Sequence, residues 1–412
     1  MVRYIGMDVH REFAQLAVVE DGVVRDEGRI GVTPEALRAW AAGLTADDQV
    51  ALEATGNSDA IATLLTPLVG RVVVSNPSKT RVIAEAKVKT DKVDARILAQ
   101  LLAADFLPPV WLPDERTRSL RRQVTRREHL VRQRTRVKNQ VHAILTRNLA
   151  PTPPVSDLFD KTGRHWLSRQ MLPTDERASV QALLRQLDFH GNELALVDRE
   201  LAVERFTDPV VARLMTIPGV DAIAAISIVA AVGDFTRFAD ADKLVAYVGL
   251  NPKVRQSGNS APVHGRISKT GRAHARALLV EAAWAAAKAP GPLHAFFVRI
   301  RARRGHQVAA VATARKMAVL VWHLLTKEAD YLWARQALVA QKVRALELQA
   351  GRPAKKGNKR GTAYAYNVKE LRDREKAIAE QAERAYEHLV ASWRPKPGQK
   401  RTGAAAAAES SG

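Results

Sequence analysis

The chain has 412 residues, enough for two or three domains with sizeable cores, and its 64 Lys and Arg outnumber 43 Asp and Glu to leave a formal net charge of +21. A surplus of that size calls for a polyanionic partner, and nucleic acid is the commonest one. The absence of cysteine excludes disulfides, thiolate metal sites and cysteine nucleophiles together.

The first residues, M-V-R-Y-I-G-M-D-V-H, lack the apolar core of a signal peptide. The longest apolar run, Ala222 to Val232, is too short to span a bilayer. With no lipidation signal or basic amphipathic anchor either, the expectation is a soluble, cytoplasmic chain that binds no membrane.

Residues 3–10 alternate, with Ile5, Met7 and Val9 on one side and Gly6, Asp8 and His10 on the other. That is a strand with an acid on its polar face. A second strand, Phe13–Glu20, turns at Asp21-Gly22 into a third, Val23–Val32. Thr33-Pro34 starts a helix with a cap residue and proline at its first position. A fourth strand, Gln49–Ala54, holds Glu53; a helix from Ser58 to Leu68 and a fifth strand, Arg71–Val74, follow. An antiparallel meander followed by alternating helices and strands predicts a mixed sheet covered by helices.

Next comes K-T-D-K-V-D-A-R, Lys89–Arg96, where Asp91 and Asp94 fall on one face of a starting helix. Lys87, Lys89, Lys92 and Arg96 surround them. Two readings stand side by side. Asp91 and Asp94 can cap the helix as N-cap and N3 residues. Equally, paired carboxylates among cations suit a divalent metal beside a phosphate backbone.

The strand order and the placement of Asp8, Glu53, Asp91 and Asp94 resemble the RNase H-like fold of RuvC-type resolvases. The surrounding G-M-D-V-H, L-E-A-T-G and K-T-D-K-V-D-A-R-I-L-A resemble the DEDD transposases of the insertion sequence 110 family. Such a quartet is expected to hold two Mg²⁺ ions about 4 Å apart, whose charge the carboxylates offset. Without metal, crowded carboxylates raise one another's pKa.

From Arg116 to Arg147 eleven residues are Lys or Arg and one, Glu128, is acidic, while Leu130, Val137, Val141 and Ile144 form an apolar stripe. This predicts a basic helix packed along one seam, with Arg121, Arg122, Arg126, Arg132, Arg136 and Lys138 offered to nucleic acid. A helical return over Asp175–Val203 completes a coiled-coil arm. L-M-T-I-P-G-V-D-A-I, from Leu214, resembles a helix-hairpin-helix, whose glycine turn presents N–H groups to a phosphate; a purely structural hairpin fits as well.

Tyr247–Arg272 is rich in Gly, Pro, Ser and Asn, lacks an apolar period, and carries six basic residues with His264 counted. It reads as an ordered loop. Its G-L-N-P, S-G and G-R-I-S-K-T-G elements resemble the C-terminal domain of the same family. That resemblance implies a serine nucleophile at Ser257, with Ser260 as its rival, forming a covalent DNA intermediate. Lys253, Arg255, Arg266, Lys269 and Arg272 would clamp phosphates around it, and His264 would contact phosphate or backbone or, alternatively, act as a general acid or base. Further on, 351–361 form a basic linker and a polar helix spans Val368–Trp393 before a disordered tail.

The expected fold class is therefore α/β plus α. It comprises an RNase H-like metal domain (1–112), a basic helical connector (113–205), a serine-bearing transposase domain (206–345) and a basic extension (346–412). The resemblance further implies donor and target DNA duplexes, guidance by a structured bridge-type RNA, association with the nucleoid when acting, and a homo-oligomer, dimer or tetramer, pairing the acids of one subunit with the serine of another. The alternative is a metal-dependent, structure-specific nuclease or resolvase in which water attacks. A third reading is a non-catalytic nucleic-acid-binding protein.

Overall fold

The structure, a computed structural model, describes residues 2–83, 90–258, 260–353 and 366–393. Lys87, Lys89, most of the 351–361 linker and the tail beyond Pro395 lie outside the described residues. The chain forms two compact units, Met1–Asp114 and Glu115–Gly412.

In the first unit, β1 (Tyr4–Val9), β2 (Phe13–Glu20) and β3 (Val23–Gly31) make the expected meander, followed by α1 (Pro34–Ala41), β4 (Gln49–Glu53), α2 (Ser58–Leu65), β5 (Arg71–Ser75), α3 (Pro77–Ile83) and α4 (Asp91–Ala103). The strands form one sheet in the order β3-β2-β1-β4-β5, with β1 antiparallel to β2 and parallel to β4. Strand alternation sorts the two faces. Ile5, Met7, Leu16, Val18, Val50 and Leu52 are buried with Leu37 of α1 and Ile61 and Leu65 of α2. On the opposite face Ala51 and Val73 meet Leu98 and Leu102 of α4.

The close approach of α4 depends on small residues. A Cβ on Gly6 would lie 2.0 Å from the Ala95 carbonyl oxygen and 2.5 Å from the Ala99 nitrogen. Ala17, beside Gly6 in the register, and Ala95 and Ala99 on the helix are fully buried. The Arg96 guanidinium fixes the helix laterally by bonding both carboxylate oxygens of Asp26 on β3, at 2.7 and 2.6 Å. That ion pair is exposed and adds orientation more than stability.

The second unit is helical: α5 (Glu115–Arg147), α6 (Lys161–Ser168), α7 (Thr174–Arg205), α8 (Pro209–Met215), α9 (Ala222–Val232), α10 (Ala241–Tyr247), a two-stranded hairpin of β6 (Pro252–Arg255) and β7 (Val263–Ile267), then α11 (Ala273–Ala286), α12 (Pro292–Thr326), α13 (Gln336–Gln349) and α14 (Lys369–Ser392). Its core is continuous across Arg205: Leu120 and Val124 of α5 and Val197 and Leu201 of α7 share one cluster with Leu214, Ile226, Leu279 and Met317. Among the described residues one helix, α12, is long and apolar enough to cross a membrane by length and composition. It breaks at Gly305 (φ 80°), and Ala314, Met317 and Val321 bury its second half in the core.

The Pro218-Gly219 turn between α8 and α9 is packed against protein. A Cβ on Gly219 (φ 84°) would lie 2.1 Å from the Ala282 carbonyl oxygen, and Val220 is fully buried. Lys342 of α13 donates to the Met215 and Val220 carbonyls at 2.9 and 2.8 Å, and burial pushes its ammonium down to about 8. The glycine therefore serves helix packing, and the structural reading of this hairpin is the one the geometry supports. Tyr247–Arg272 also differs from the expected loop, because its flanks pair as β6 and β7. Both strands are largely exposed on both faces, so no apolar alternation marks them.

Gly6→Ala forces α4 off the sheet, and overpacking of this kind costs about 1–3 kcal/mol. Urea denaturation should register that loss. Gly56→Ala, which meets nothing within 4 Å, should stay within about 0.5 kcal/mol of the parent.

Candidate metal centre and serine loop

Asp8 and Glu53 emerge together at the carboxyl ends of neighbouring parallel strands. Met7 pairs with Leu52, so Asp8 and Glu53 form the next couple, on the face that α4 covers. The helix brings the other two acids. Thr90, with extended backbone (φ −142°, ψ 153°), is the N-cap, and its hydroxyl accepts from the Val93 N–H. Asp91 is thus the first helical residue and Asp94 lies one turn in, where its own N–H bonds the Thr90 carbonyl at 3.0 Å. The expected capping role of Asp91 falls to Thr90, which stands one residue before the helix and accepts from its N3 amide.

Carboxylate oxygens of Asp8 and Asp91 and a ring nitrogen of His10 lie within 4.8 Å of one another. His10 Nε2 stands 3.2 Å from Asp8 Oδ2 and 3.4 Å from Asp91 Oδ1. Burial raises the Asp8 pKa above the ordinary carboxylate range; His10 works against the rise, while the charges of Asp94 and Asp91 add to it. Asp94 and Asp91 therefore act on Asp8 electrostatically, and Glu53 is its strand neighbour. A bound divalent cation would relieve that repulsion, and an oxygen-rich set with one imidazole suits such an ion.

Side chains that the sequence pattern did not single out hold this group together. Gln15, paired with Asp8 in the β1–β2 register, is buried; it donates to the Gly28 carbonyl at 2.8 Å and accepts from Arg29 Nε at 3.2 Å. Arg29 in turn donates to Asp91 Oδ2 at 3.3 Å. Phe13 carries both neighbours, with the Arg29 guanidinium 4.3 Å and the His10 ring 4.8 Å from its centroid. The available signal was Gln15 itself, the one polar residue inside F-A-Q-L-A-V-V. Of the cations around Asp91 and Asp94, Arg96 is engaged by Asp26, which leaves Lys92 exposed.

In the second unit the hairpin stands on a clasp between its two ends. Ser268 bonds Asn251 through backbone (2.8 Å) and side chain (2.7 Å), and Arg272 N–H bonds the Tyr247 carbonyl at 3.1 Å. The strands approach so closely that a Cβ on Gly249 would lie 2.3 Å from the Thr270 oxygen, and one on Gly271 2.1 Å from the Tyr247 oxygen. G-L-N-P and S-K-T-G are thus the two halves of one clasp. Ser257 lies in the exposed connection beyond β6, followed by Gly258 at φ 53°. The Ser260 hydroxyl donates to the Ser257 carbonyl at 2.5 Å, whereas the Ser257 hydroxyl makes no hydrogen bond among the described residues. Asn259 lies outside them.

Lys253, Arg255, His264 and Arg266 project from the hairpin, and Lys269 follows it in a left-handed conformation (φ 57°). Lys253, Arg255, Arg266 and Lys269 form no ion pair among the described residues. Arg272 is held by the Tyr247 phenol oxygen at 2.9 Å.

The basic helix α5 departs from expectation. Its partner α7 supplies carboxylates, so Arg126 meets Glu193 (2.9 Å) and Glu200 (3.8 Å), Arg127 meets Asp198, and Arg147 meets Glu176. Glu115 takes Arg118 and Arg122, while Glu128 takes Arg132 and His274. Arg121 turns inward to cap α9, donating to the Ala230 and Ala231 carbonyls at 2.8 and 2.9 Å. Arg136 has no ion pair among the described residues, and Lys138 sits 4.7 Å from the Phe159 ring centroid.

Comparison with known proteins bears on both regions. A DEDD transposase family model of insertion sequence 110 type matches residues 5–149, and one described as transposase, IS116/IS110/IS902 family, matches residues 211–298. A Sinorhizobium fredii protein named as a transposase is 29% identical over 293 residues, covering 68% of this chain and 71% of its own. The transposase for insertion sequence element IS1111A of Coxiella burnetii is 26% identical, covering 59% and 68%. The pilin gene-inverting protein of Moraxella bovis is 28% identical, covering 51% and 58%.

The raised Asp8 pKa has a definite sign. In metal-free protein the native state holds this proton more tightly than the unfolded chain, so stability falls as pH rises from the ordinary carboxylate range through the raised value. Metal needs the ionised form, so affinity rises over the same window. At neutral pH, Mn²⁺ at about 100 times its Kd should stabilise the protein by about 2.7 kcal/mol. Thermal melts of Asp8→Asn should lose that gain while the metal-free variant melts no lower than the parent.

Proposed function

The chain belongs to the DEDD transposases of the IS116/IS110/IS902 family, enzymes that recombine DNA, and from that premise we propose a specific division of labour between its two units. In this reading Asp8, Glu53, Asp91 and Asp94 hold two Mg²⁺ ions at the RNase H-like sheet. When bound, such ions polarise a phosphodiester and stabilise the charge that develops on its oxygens. The chain's own contribution is placement: β1 and β4 present one pair of acids, α4 the other, and Gln15 and Arg29 fix Asp91.

Ser257 is the proposed nucleophile. Its Oγ forms a bond to phosphorus as the bond to one bridging sugar oxygen breaks, which leaves the strand joined to the protein; the hydroxyl proton departs and the released sugar oxygen gains one. The observation that favours Ser257 over Ser260 is the hydrogen bond that ties the Ser260 hydroxyl to the turn. Lys253, Arg255, Arg266 and Lys269 are the proposed phosphate contacts. Arg136 and Lys138 extend that surface along α5. Arg122, Arg126 and Arg132, already paired with carboxylates, are secondary, and Arg121 and Arg272 are positioning residues.

Two DNA duplexes and a structured guide RNA, bound by a dimer or tetramer, enter this reading as what the family resemblance implies; the net charge of +21 fits a polyanionic partner of either kind.

Ser257→Ala should abolish any covalent protein–DNA adduct and strand exchange while leaving DNA affinity within about twofold, since a hydroxyl adds no phosphate charge. Ser260→Ala should keep the adduct. Denaturing gels of end-labelled DNA read the adduct directly. Undiminished cutting by Ser257→Ala would transfer the attack to water. Retention of a discrete RNA by the purified protein, with loss of strand exchange after ribonuclease treatment, is the result expected for a guide.

A further inference from the structure

A cleft of about 630 Å³ opens between α1 and α2 at the carboxyl edge of the sheet, on the face opposite α4. Val9, Leu37, Ile61 and Leu64 make its walls apolar, while Arg11 and Asn57 stand at its rim. The volume falls within the range of about 300–1,000 Å³ typical of small-molecule sites. None of these side chains supplies the acid or base of the reaction described above.

Two features say what it takes. Its walls are apolar but its rim carries a cation, Arg11, with no ion pair among the described residues. This suits a ligand with an apolar body, such as a base, and an anionic end. The cleft and the acidic group also share a residue: His10 lines the one, and its ring stands 3.2 Å from Asp8 in the other. A ligand seated there lies one side chain from the carboxylates. Bases inside a duplex cannot enter such a cleft, whereas a nucleotide drawn out of the stack can.

Resting on the reading of the acidic group as the centre that cuts phosphodiesters, we propose that this cleft takes one unstacked nucleotide of the strand being cut. The base sits between α1 and α2, and Arg11 faces its phosphate. Seating the flanking nucleotide fixes the scissile phosphate at the acids, which is how a remote contact contributes to rate.

The absence of cysteine makes a direct test available. Ala60, exposed on α2 and lining the cleft, becomes the sole thiol in full-length Ala60→Cys. Its alkylation by a maleimide is followed in Mg²⁺ with a single-stranded deoxypentanucleotide carrying 2-aminopurine, with orthophosphate as control. At about ten times its Kd the pentanucleotide should slow alkylation about tenfold, because only the unoccupied fraction reacts; orthophosphate should not. Leu64→Trp, which fills the cleft, should weaken the 2-aminopurine signal while metal-dependent stabilisation persists. A thiol alkylated at full rate with the strand bound overturns the proposal and leaves the metal centre standing. Loss of both metal stabilisation and cutting in the parent chain would instead bring down the reading beneath it. Protection that grows with protein concentration without DNA overturns the proposal in favour of a second copy seated there.

Discussion

The first unit depends on the contact between the backbone of β1 at Gly6 and the backbone of α4 at Ala95 and Ala99. No side chain fits between them. Because that distance is set by the absence of a Cβ, the start of the helix, with Asp91 and Asp94, is delivered to the end of the same strand, where Asp8 stands two residues after Gly6. The acids could not be gathered by their own interactions, since like charges at this spacing repel. Packing of small residues holds them there, and the raised pKa of Asp8 reflects first its burial and then the charges of Asp94 and Asp91.

The same device recurs in the second unit. Gly249 and Gly271 let the ends of the serine hairpin cross at backbone contact, and Gly219 lets the α8–α9 turn press on α11. In each case a motif that reads as functional, G-M-D, G-L-N-P, T-G-R or I-P-G, contains a glycine required by packing. At the first three the residues proposed for the chemistry lie beside it. At the fourth the turn is closed against protein, and Lys342 satisfies its carbonyls.

Much of this was legible in the chain. The alternation over residues 3–10, the Asp21-Gly22 turn and the cap at Thr33 locate the elements, and the mixed sheet follows from their order, whereas the cap of α4 is Thr90 and not the Asp91 that the pattern suggests. What stayed hidden was relational. Nothing local says that Arg29 reaches Asp91 across a strand, that Asp26 engages Arg96, or that α7 supplies acids to Arg126, Arg127 and Arg147. A run of cations in one segment was read as an unpaired face because its partners lie tens of residues away. The β6–β7 hairpin escaped for a different reason: strands exposed on both faces bury no stripe, so no period betrays them.

The central claim is that the side chains packed by α4 against β1 form a divalent metal centre. Anomalous diffraction from crystals grown in Mn²⁺ tests it most directly. The account predicts density at about 2.1 Å from carboxylate oxygens of Asp8 and of Asp91 or Asp94, with His10 displaced or ligating. Mn²⁺ found only at other carboxylates, with Asp8 still bonded to His10 as in the metal-free protein, would contradict it.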